Sequence, residues 1–549
     1  MMQADYVIIG AGSAGSVLAA RLSEDPKIKV ILVEAGGHDA RLSVQVPGGF
    51  VHTMVNPKVN WMYQTEPEAE LHGRRMAMPR GRILGGTSSI NGMLYVRGQK
   101  EDFDDWQAAG NPGWGYDAVR PYFIKSENCQ ELFQAAAETG QKIDAQYHGQ
   151  LGPLSVSALR LGPNILDDVC KAAQQQGYPG NDDYNGQSQA GFGYFQVTQK
   201  NGQRHSAYRA FLHPVRHRKN LHILKNAQAM RLLFSAEDSQ KVTGVQIFYR
   251  GKERQVTATR EVVLAAGAFG SPQLLELSGI GRPDILRPAG IEVRHLLDGV
   301  GEHLSDHFLT RLTWRLAPNS SLNETSRGIA LLKEIARYAL FRKGSLSLTA
   351  GLLAGFVSSD PNDARPDIQY HIAHASFANP ARRIFDSFPG LTIGPCPLRP
   401  HSRGYVHIRS SDPFAPPSIR FNYLSADKDK DVLVRGMEIA RDIMNAPAME
   451  GLVVAEERPG SVMRSKEELL AFARQTGNTV YHPACSCRMG PDPKTGDVVD
   501  SRLRVHGLRG LRIADASIMP IITSGNTHAP SMMIAEKAAD MIKADQAVR

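Results

Sequence analysis

Residues 6–15 read YVIIGAGSAG, and this stretch decides the fold of the N-terminal part of the chain. Its first four residues predict a short buried strand, and a G-x-G-x-x-G turn follows at once. Gly10 permits the tight turn, Gly12 lets backbone N–H groups approach a pyrophosphate, and Gly15 lets a helix pack close to the sheet. That helix, predicted over residues 16–22, directs its N-terminus at the phosphates.

A second apolar strand is predicted over residues 29–33, and Glu34 follows it directly. The order strand, glycine turn, helix, strand and acid is that of a dinucleotide-binding unit, in which the acid binds the adenosine ribose. An acid at this position argues against the 2′-phosphate of NADP. The motif alone does not separate FAD from NAD, so an NAD-dependent dehydrogenase remains an alternative at this point.

Length and composition narrow the class of protein. A chain of 549 residues is too long for a single core, and its 42% hydrophobic and 21% charged residues are ordinary for a globular protein. Five cysteines without a pattern suit a reducing compartment. The sequence shows no secretory signal and no apolar run of about 18 residues, so we predict a cytoplasmic protein without a membrane span.

The net charge of +8 is modest and is spread along the chain. It permits attraction to an anionic membrane surface or to acidic partners. Basic residues do not alternate with aromatic residues in any run, so the sequence argues against nucleic-acid binding.

Two further glycine-rich stretches follow. Residues 79–98 read PRGRILGGTSSINGMLYVRG, and residues 85–89 within them are small and polar. Such a stretch suits backbone and hydroxyl groups that lie against a large planar ligand. Residues 267–281, GAFGSPQLLELSGIG, follow an apolar strand at 262–266 and predict a short helix closed by glycine.

These stretches resemble the signature motifs of the glucose–methanol–choline (GMC) oxidoreductases. The resemblance extends to a catalytic-histidine segment, a last flavin-contacting strand, and a closing turn and helix. It runs from about residue 4 to residue 543 in family order and is greatest to bacterial choline, sorbose and aliphatic alcohol dehydrogenases. The matching C-terminal motifs are YHPACSCRMG at 481–490, LRIADASIMP at 511–520 and SGNTHAPSMMIAEKAADMI at 524–542.

The resemblance implies an α/β fold with a Rossmann-like FAD-binding domain and a substrate domain of antiparallel sheet backed by helices. The FAD-binding domain would comprise residues 1–155, 200–310 and 490–549. The substrate domain would comprise residues 156–199 and 311–489. Alternating short strands over 404–424 and amphipathic helices over 427–445 and 465–475 agree with a second layered unit.

The resemblance also implies which residues bind FAD. Some family members tether FAD through a histidine at the position of Ile90, and isoleucine cannot form that bond, so we expect non-covalent FAD. The residues expected to contact the cofactor are Gly10, Gly12, Ser13, Ala14, Gly15, Glu34, Ala35, Arg82, Gly85, Gly86, Ser88, Asn91, Gly92, Met93, Ala229, Ala266, Gly267, Asp515, Ala516, Asn526 and Thr527.

Two histidines are the candidate catalytic residues. Oxidation of an alcohol removes a hydroxyl proton, and histidine has a pKa suited to accept it. A second side chain must hold the oxygen while charge develops. The motif positions assign His482 as base and His528 as its partner. The family carries Asn or His at the second position, and its nearest dehydrogenases carry Asn, so which histidine takes the proton stays open.

Other motifs carry weaker hypotheses. The short segment at residues 302–307 resembles a domain-junction element, and we interpret it as structural. Cys485 and Cys487 lack the second pair of a zinc site, which favours ordinary packing and predicts no metal. His371 and His374 lie in a strand-like run, and one of them is a candidate pocket residue.

Three aromatic residues offer a hypothesis about the substrate. Trp61, Tyr95 and Trp314 could form a cage for a choline-like cation if the fold brings them together.

The predicted function is FAD-dependent oxidation of a primary alcohol or polyol to the aldehyde or ketone. Hydride would pass to flavin N5, a histidine would take the proton, and electrons would pass to a quinone or another acceptor that is not oxygen. An alcohol oxidase using oxygen is the first alternative. A lyase or decarboxylase on the same fold is an alternative of another class.

Residues 328–342 bear on the electron acceptor. Apolar residues recur at helical spacing, with basic residues on or beside that face. One interpretation is a surface helix that packs on the core. The other is a basic amphipathic helix resting on an anionic bilayer, where quinones reside. The apolar residues are Ile329, Leu332, Ile335, Ala336, Ala339 and Leu340, and the basic ones are Lys333, Arg337, Arg342 and Lys343.

Overall fold

The computed structural model describes residues 2–162, 164–379 and 384–547. Two large sheets dominate it, one mainly parallel and one antiparallel, with helices packed against both. This arrangement confirms the predicted α/β class with a dinucleotide-binding unit. Every residue of the strand Val30–Glu34 is buried, as expected for a parallel strand covered on both faces.

The first sheet contains the glycine turn of the opening motif. Its first four strands are parallel, and the two at the far edge continue as antiparallel strands. A strand from near the end of the chain, Leu511–Ile513, joins it in parallel beside Lys252–Leu264. In spatial order the six strands of the main path are Leu221–Lys225, Val30–Glu34, Met2–Ile9, Lys252–Leu264, Val242–Tyr249 and Ala227–Phe234.

The first helix contacts this sheet, and a helix from the other end of the chain packs on the first helix. The first helix, Ser13–Leu22, begins three residues earlier than predicted because Gly12 is its extended N-cap. The last helix, His528–Ala547, packs on it. Arg21 forms an ion pair with the buried Glu536 across this contact at 2.8 Å.

The second sheet is antiparallel throughout. Its strands all lie within the ranges predicted for the substrate domain, although the exact domain boundaries stay a prediction. Its core is built by the sheet and by helices that include Ile165–Gln175 and Asp427–Met444. In spatial order its strands are Val453–Arg458, Leu312–Leu316, Gly390–Pro397, Ile368–Ala373, Leu353–Val357 and Gly191–Tyr194.

The predicted helices and strands outside the two large sheets are present. The alternation over 404–424 is a hairpin of Tyr405–His407 with Ser418–Arg420. The stretch after the 262–266 strand forms a helix that begins at its first glycine, and residues 465–475 form a helix shifted by one residue. The α-helices not yet named are Leu42–Gln45, Phe50–Thr53, Lys100–Ala108, Tyr116–Ser126, Gln130–Thr139, His213–Val215, Gly267–Leu277, Pro283–Leu286, Leu322–Thr325, Gly328–Phe341 and Lys466–Thr476.

The helix Gly328–Phe341, here called the outer helix, does not pack as a core helix. Ile329 is 73% exposed, Leu332 65% and Leu340 74%, and the other apolar residues of the predicted face are exposed too. Tyr338 is the one buried residue of this helix. The interpretation as a core-packed surface helix is therefore wrong, because the apolar face points outward. Across the described residues, no helix is long and apolar enough to span a membrane.

Candidate active site and cofactor cavity

A cavity of about 1240 Å³ is lined by residues from both sheets, and almost all of the predicted site residues line it. The first glycine turn lines one end, and His482 and His371 line another part of its wall. Of the residues expected to contact a cofactor, all line this cavity except Gly15 and Gly85. Those two are close-packing positions instead: a Cβ on Gly15 would overlap Gly10 O, and one on Gly85 would overlap the side chain of Ser89.

The glycine end of the cavity fits a dinucleotide. Gly10 has a φ of +99°, and a Cβ there would overlap the backbone of Ala265, so only glycine is accommodated. Gly86, from the second glycine-rich stretch, approaches so closely that its Cβ would lie 2.6 Å from Gly12 Cα. A Cβ on Gly12, by contrast, would meet nothing within 4 Å. Gly12 therefore presents its backbone to open space, as a pyrophosphate cradle requires.

Glu34 is held at the end of its strand by two backbone groups. Its carboxylate oxygens accept hydrogen bonds from the N–H groups of Ala11 and Gly36, both at 2.8 Å. Burial raises its pKa to about 7, partly offset by those two hydrogen bonds and the charge of Arg82. The carboxylate keeps lone pairs for ribose hydroxyls and lines the cavity.

His528 lies at this cofactor end. Its Nδ1 is 3.0 Å from Ser13 Oγ, in the first glycine turn. Its Nε2 is buried without a hydrogen-bond partner among the described residues, although the ring lines the cavity. Burial, with the charge of Arg204, lowers its pKa to about 4, so the imidazole is neutral. An unpartnered buried nitrogen beside the glycine turn fits a cofactor that would supply its partner.

The partner of His482 is Asn526. Asn526 Nδ2 lies 2.8 Å from His482 Nε2, and its Oδ1 accepts from Gln369 Nε2 at 3.4 Å, which orients the amide. His528 makes no contact with the His482 ring among the described hydrogen bonds, and its assignment as the second side chain that holds the substrate oxygen stays a prediction. The two positions are only two residues apart, but Asn526 lies in the turn whereas His528 is already the first residue of the last helix.

A third histidine, His307, completes this cluster. Its Nδ1 lies 3.1 Å from His482 Nδ1, and its Nε2 lies 2.9 Å from Leu398 O. A carbonyl oxygen only accepts, so His307 carries its proton on Nε2 and its Nδ1 accepts from His482. His482 consequently bears its proton on Nδ1 and presents a bare Nε2, which accepts from Asn526.

Asp306 positions both histidines through the backbone. Its Oδ1 accepts from the N–H groups of His482 at 2.7 Å and of His307 at 2.9 Å. Its Oδ2 accepts from the hydroxyls of Tyr423 and Thr479. The interpretation of residues 302–307 as structural therefore did not foresee that the His307 ring contacts the His482 ring. The only sequence signal for this contact was a histidine within that segment, 175 positions from its partner.

The electrostatic environment keeps His482 neutral. Burial lowers its pKa well below 6.5, and the nearby His307, His371 and Arg80 also disfavour its protonation. Burial also lowers the pKa of His307 to about 4. A neutral imidazole with a bare nitrogen at a cavity wall can accept a proton.

The hypotheses about the strand histidines and the aromatic cage have different outcomes. His371 lines the cavity, as one of the two strand histidines was expected to, and His374 does not. The proposed aromatic cage does not form, because Tyr95 and Trp314 lie in the separate cores of the two sheets. The ring of Trp61 does line the cavity, but Arg82 already lies over it at 4.9 Å.

Comparison with known proteins agrees with these features. The family models described as GMC oxidoreductase match residues 4–309 and 400–535. The chain belongs to the GMC oxidoreductase family. The GMC oxidoreductases are FAD-binding enzymes that act on CH–OH donors, which confirms the predicted family and enzyme class.

Individual relatives match along nearly the whole chain. An alcohol dehydrogenase [acceptor] of Pseudomonas putida is 40% identical over 546 residues, covering 98% of this chain and 95% of the relative. An oxygen-dependent choline dehydrogenase of Vibrio vulnificus is 38% identical over 547 residues, covering 98% and 94%. The solved structure of an FAD-dependent oxidoreductase from Chaetomium thermophilum has a TM-score of 0.90 at 28% identity, covering 99% and 100%.

Proposed function

We propose that this GMC oxidoreductase is an FAD-dependent dehydrogenase that oxidises an alcohol, with His482 as the base that accepts the hydroxyl proton. The observation that carries the proposal is the pairing of His482 Nε2 with Asn526 Nδ2 at 2.8 Å in the cavity wall. FAD, when bound, supplies an acceptor for the hydride leaving the substrate carbon. The residues expected to hold it are those of the glycine turns, with Glu34 and Asp515.

The two side chains of this pair have complementary tasks. An alcohol oxygen can replace their direct hydrogen bond by donating its proton to His482 Nε2 and accepting from Asn526 Nδ2. His482 then takes the hydroxyl proton, and the Asn526 amide stabilises the negative charge that develops on oxygen. His307 holds the His482 proton on Nδ1 throughout.

Flavin reduction without air tests this proposal. A primary alcohol mixed anaerobically with the yellow holoenzyme should bleach it, and His482→Ala should slow bleaching by about a hundredfold or more. Cys170→Ala, a half-buried site outside the cavity, serves as the control. Absence of bleaching with every alcohol class would instead support the lyase or decarboxylase alternative.

The electron acceptor belongs to the same proposal. We assign it to a membrane quinone, with the protein bound peripherally through the outer helix. The exposed apolar face supports this, because such a face is stable when it inserts into a bilayer interface. The inner side of this helix borders the cavity at Leu331. Oxygen uptake during turnover, compared with reduction of an added quinone, separates an oxidase from the proposed dehydrogenase.

The charge of the outer helix and of the residues that flank it suits an anionic bilayer. Residues 327–343 carry five basic side chains and one acid, which leaves a net charge of +4. Anionic headgroups attract such a segment by about 1 kcal/mol per basic residue near the surface. The basic residues are Arg327, Lys333, Arg337, Arg342 and Lys343, and the acid is Glu334.

A further inference from the structure

Arg311 occupies an unusual position in the cavity. It lies between the short strand Phe308–Leu309 and the second-sheet strand Leu312–Leu316, and its side chain lines the cavity. The strand register puts it beside His371: Leu312 pairs with Ile393, and His371 pairs with the next residue, Gly394. Its charge helps lower the pKa of His371. His371 in turn lowers the pKa of His482. Arg311 therefore lies at the same end of the cavity as His482, here called the reactive end.

The guanidinium of Arg311 makes no hydrogen bond, ion pair or ring contact with any described residue. The other two arginines of the cavity wall do have partners. Arg80 donates to the carbonyls of Pro79 and Tyr481, and Arg82 lies over Trp61. Burial lowers the pKa of Arg311 from its usual value, which marks a charge removed from bulk water. Arg311 is half-buried, and its guanidinium faces the cavity without a counter-charge. A ligand that supplies the counter-charge would stabilise a cation in this position.

The carboxylates of the cavity do not supply it. Among the described lining residues only Glu34 and Asp515 are acidic. Both belong to the cofactor-facing elements, where Asp515 accepts hydrogen bonds from Gly267 N–H and the Ser271 hydroxyl. Asp306 lies behind the two histidines and does not line the cavity, so the cavity surface at the reactive end carries the charge of Arg311 without a facing acid.

We propose that Arg311 binds the carboxylate of the substrate, so that the protein oxidises a hydroxy carboxylic acid. The planar guanidinium fork matches a carboxylate with two parallel hydrogen bonds. Apolar side chains, including Leu309, Leu348 and Leu352, line the cavity and suit a hydrocarbon spacer between the carboxylate and the alcohol. A choline-like cation is disfavoured, because it would meet Arg311 without an acid or an aromatic cage. This inference rests on the proposed alcohol oxidation and names its substrate class.

The test compares each acid with its own methyl ester. A series of ω-hydroxy carboxylates, their esters, matched alkanols and choline is assayed anaerobically by flavin bleaching. We expect the best acid to exceed its ester by about 10- to 100-fold in kcat/KM, the range of a charge-assisted hydrogen bond. In Arg311→Gln this acid-to-ester ratio should approach one, and in Arg311→Lys it should be intermediate. Arg315→Gln, at an exposed arginine of the adjacent strand that pairs with Glu457, should keep the wild-type ratio.

A binding measurement supplies a readout independent of turnover. An alkanoate without the hydroxyl should perturb the flavin spectrum of the oxidised enzyme, with a Kd at least tenfold weaker in Arg311→Gln. An ester or choline preferred over the acid by the wild type would overturn the inference. Equal losses for acid and ester in Arg311→Gln would also overturn it and assign Arg311 to the cofactor. In either case neutral alcohols would still bleach the flavin, whereas failure of every alcohol would refute the proposed function itself.

Discussion

His307 and His482 face each other at 3.1 Å between their Nδ1 atoms, with their rings nearly perpendicular at 89°. Only one of the two nitrogens can carry the shared proton. The carbonyl of Leu398 decides which, because it holds the His307 proton on the opposite nitrogen. A main-chain oxygen thus determines the tautomer of the proposed base through one intervening ring.

Replacing His307 tests this tautomer control. His307→Leu should lower kcat by about 10- to 100-fold while FAD stays bound, because His482 loses the acceptor that keeps Nε2 bare. His307→Asn, whose Oδ1 can accept the same hydrogen bond, should recover part of the loss. Stopped-flow bleaching measures both variants. Equal activity in the Leu and Asn variants would show that His307 acts only through packing.

Asn526 and His528 should separate into different roles. Asn526→Ala should reduce kcat/KM by about a hundredfold, because one donor to the developing oxyanion is lost. His528→Ala should mainly weaken FAD binding, because its ring lies against Ser13 at the cofactor end. Titration of FAD into deflavinated protein, with kinetics at saturating FAD, distinguishes them. The reverse pattern would return His528 to the role of catalytic partner.

The pH profile should reveal a catalytic base with an unusually low pKa. Because the folded pKa of His482 is lowered, its neutral form persists below pH 6.5 and is lost only as the pH falls through the lowered value. His307, His371 and Arg80 are the groups that face it and maintain this shift. We expect the acid limb of kcat/KM to have its midpoint below 6.5. A midpoint at or above 6.5 contradicts the assigned environment.

FAD should leave the protein without bond cleavage. Ile90 is buried, lines the cavity and has no nucleophilic atom for a covalent link. Acid precipitation should therefore leave the yellow colour in the supernatant. Colour that remains in the pellet would identify a covalent link at another residue.

The outer helix should bind anionic liposomes at low salt and release them as salt rises, because screening shortens the attraction. Lys333→Glu combined with Arg337→Glu should weaken binding at least tenfold while turnover with a soluble dye continues. Lys171→Glu combined with Lys252→Glu, exposed sites on other elements, matches the charge change as a control. Sedimentation with liposomes measures both. Wild-type protein that ignores anionic liposomes at low salt excludes this membrane role.

Local rules predicted the cofactor end well. The turn at Gly10, the acid at Glu34 and the succession of strand, turn, helix and strand around them depend on neighbours within about 30 residues, so periodicity and glycine positions suffice. The close approach of Gly86 to Gly12 could not be predicted in this way, because the two glycines lie in turns that are far apart in sequence. Family motifs, rather than spacing, brought that second turn to attention.

The reactive end depends on contacts that no local pattern encodes. His307 meets His482 across 175 positions, and Arg311 is recognisable only by its missing partner in three dimensions. The different contacts of Asn526 and His528 depend on local geometry that the motif does not show. Gly525, with a φ of +134°, turns the chain so that Asn526 reaches His482 and the helix carries His528 back to Ser13.

The contact between the first and last helices has a consequence for folding during synthesis, because the first helix cannot complete its packing until the last helix has been made. Ser13 and His528 are separated by 515 positions, so the ribosome needs roughly half a minute to two minutes at about 5–20 residues per second to supply the second after the first. During that interval the first helix lacks the C-terminal helix that packs on it in the completed protein. We therefore expect chains that end before residue 511 to carry an intact glycine turn but to expose apolar surface of the first helix, which favours aggregation.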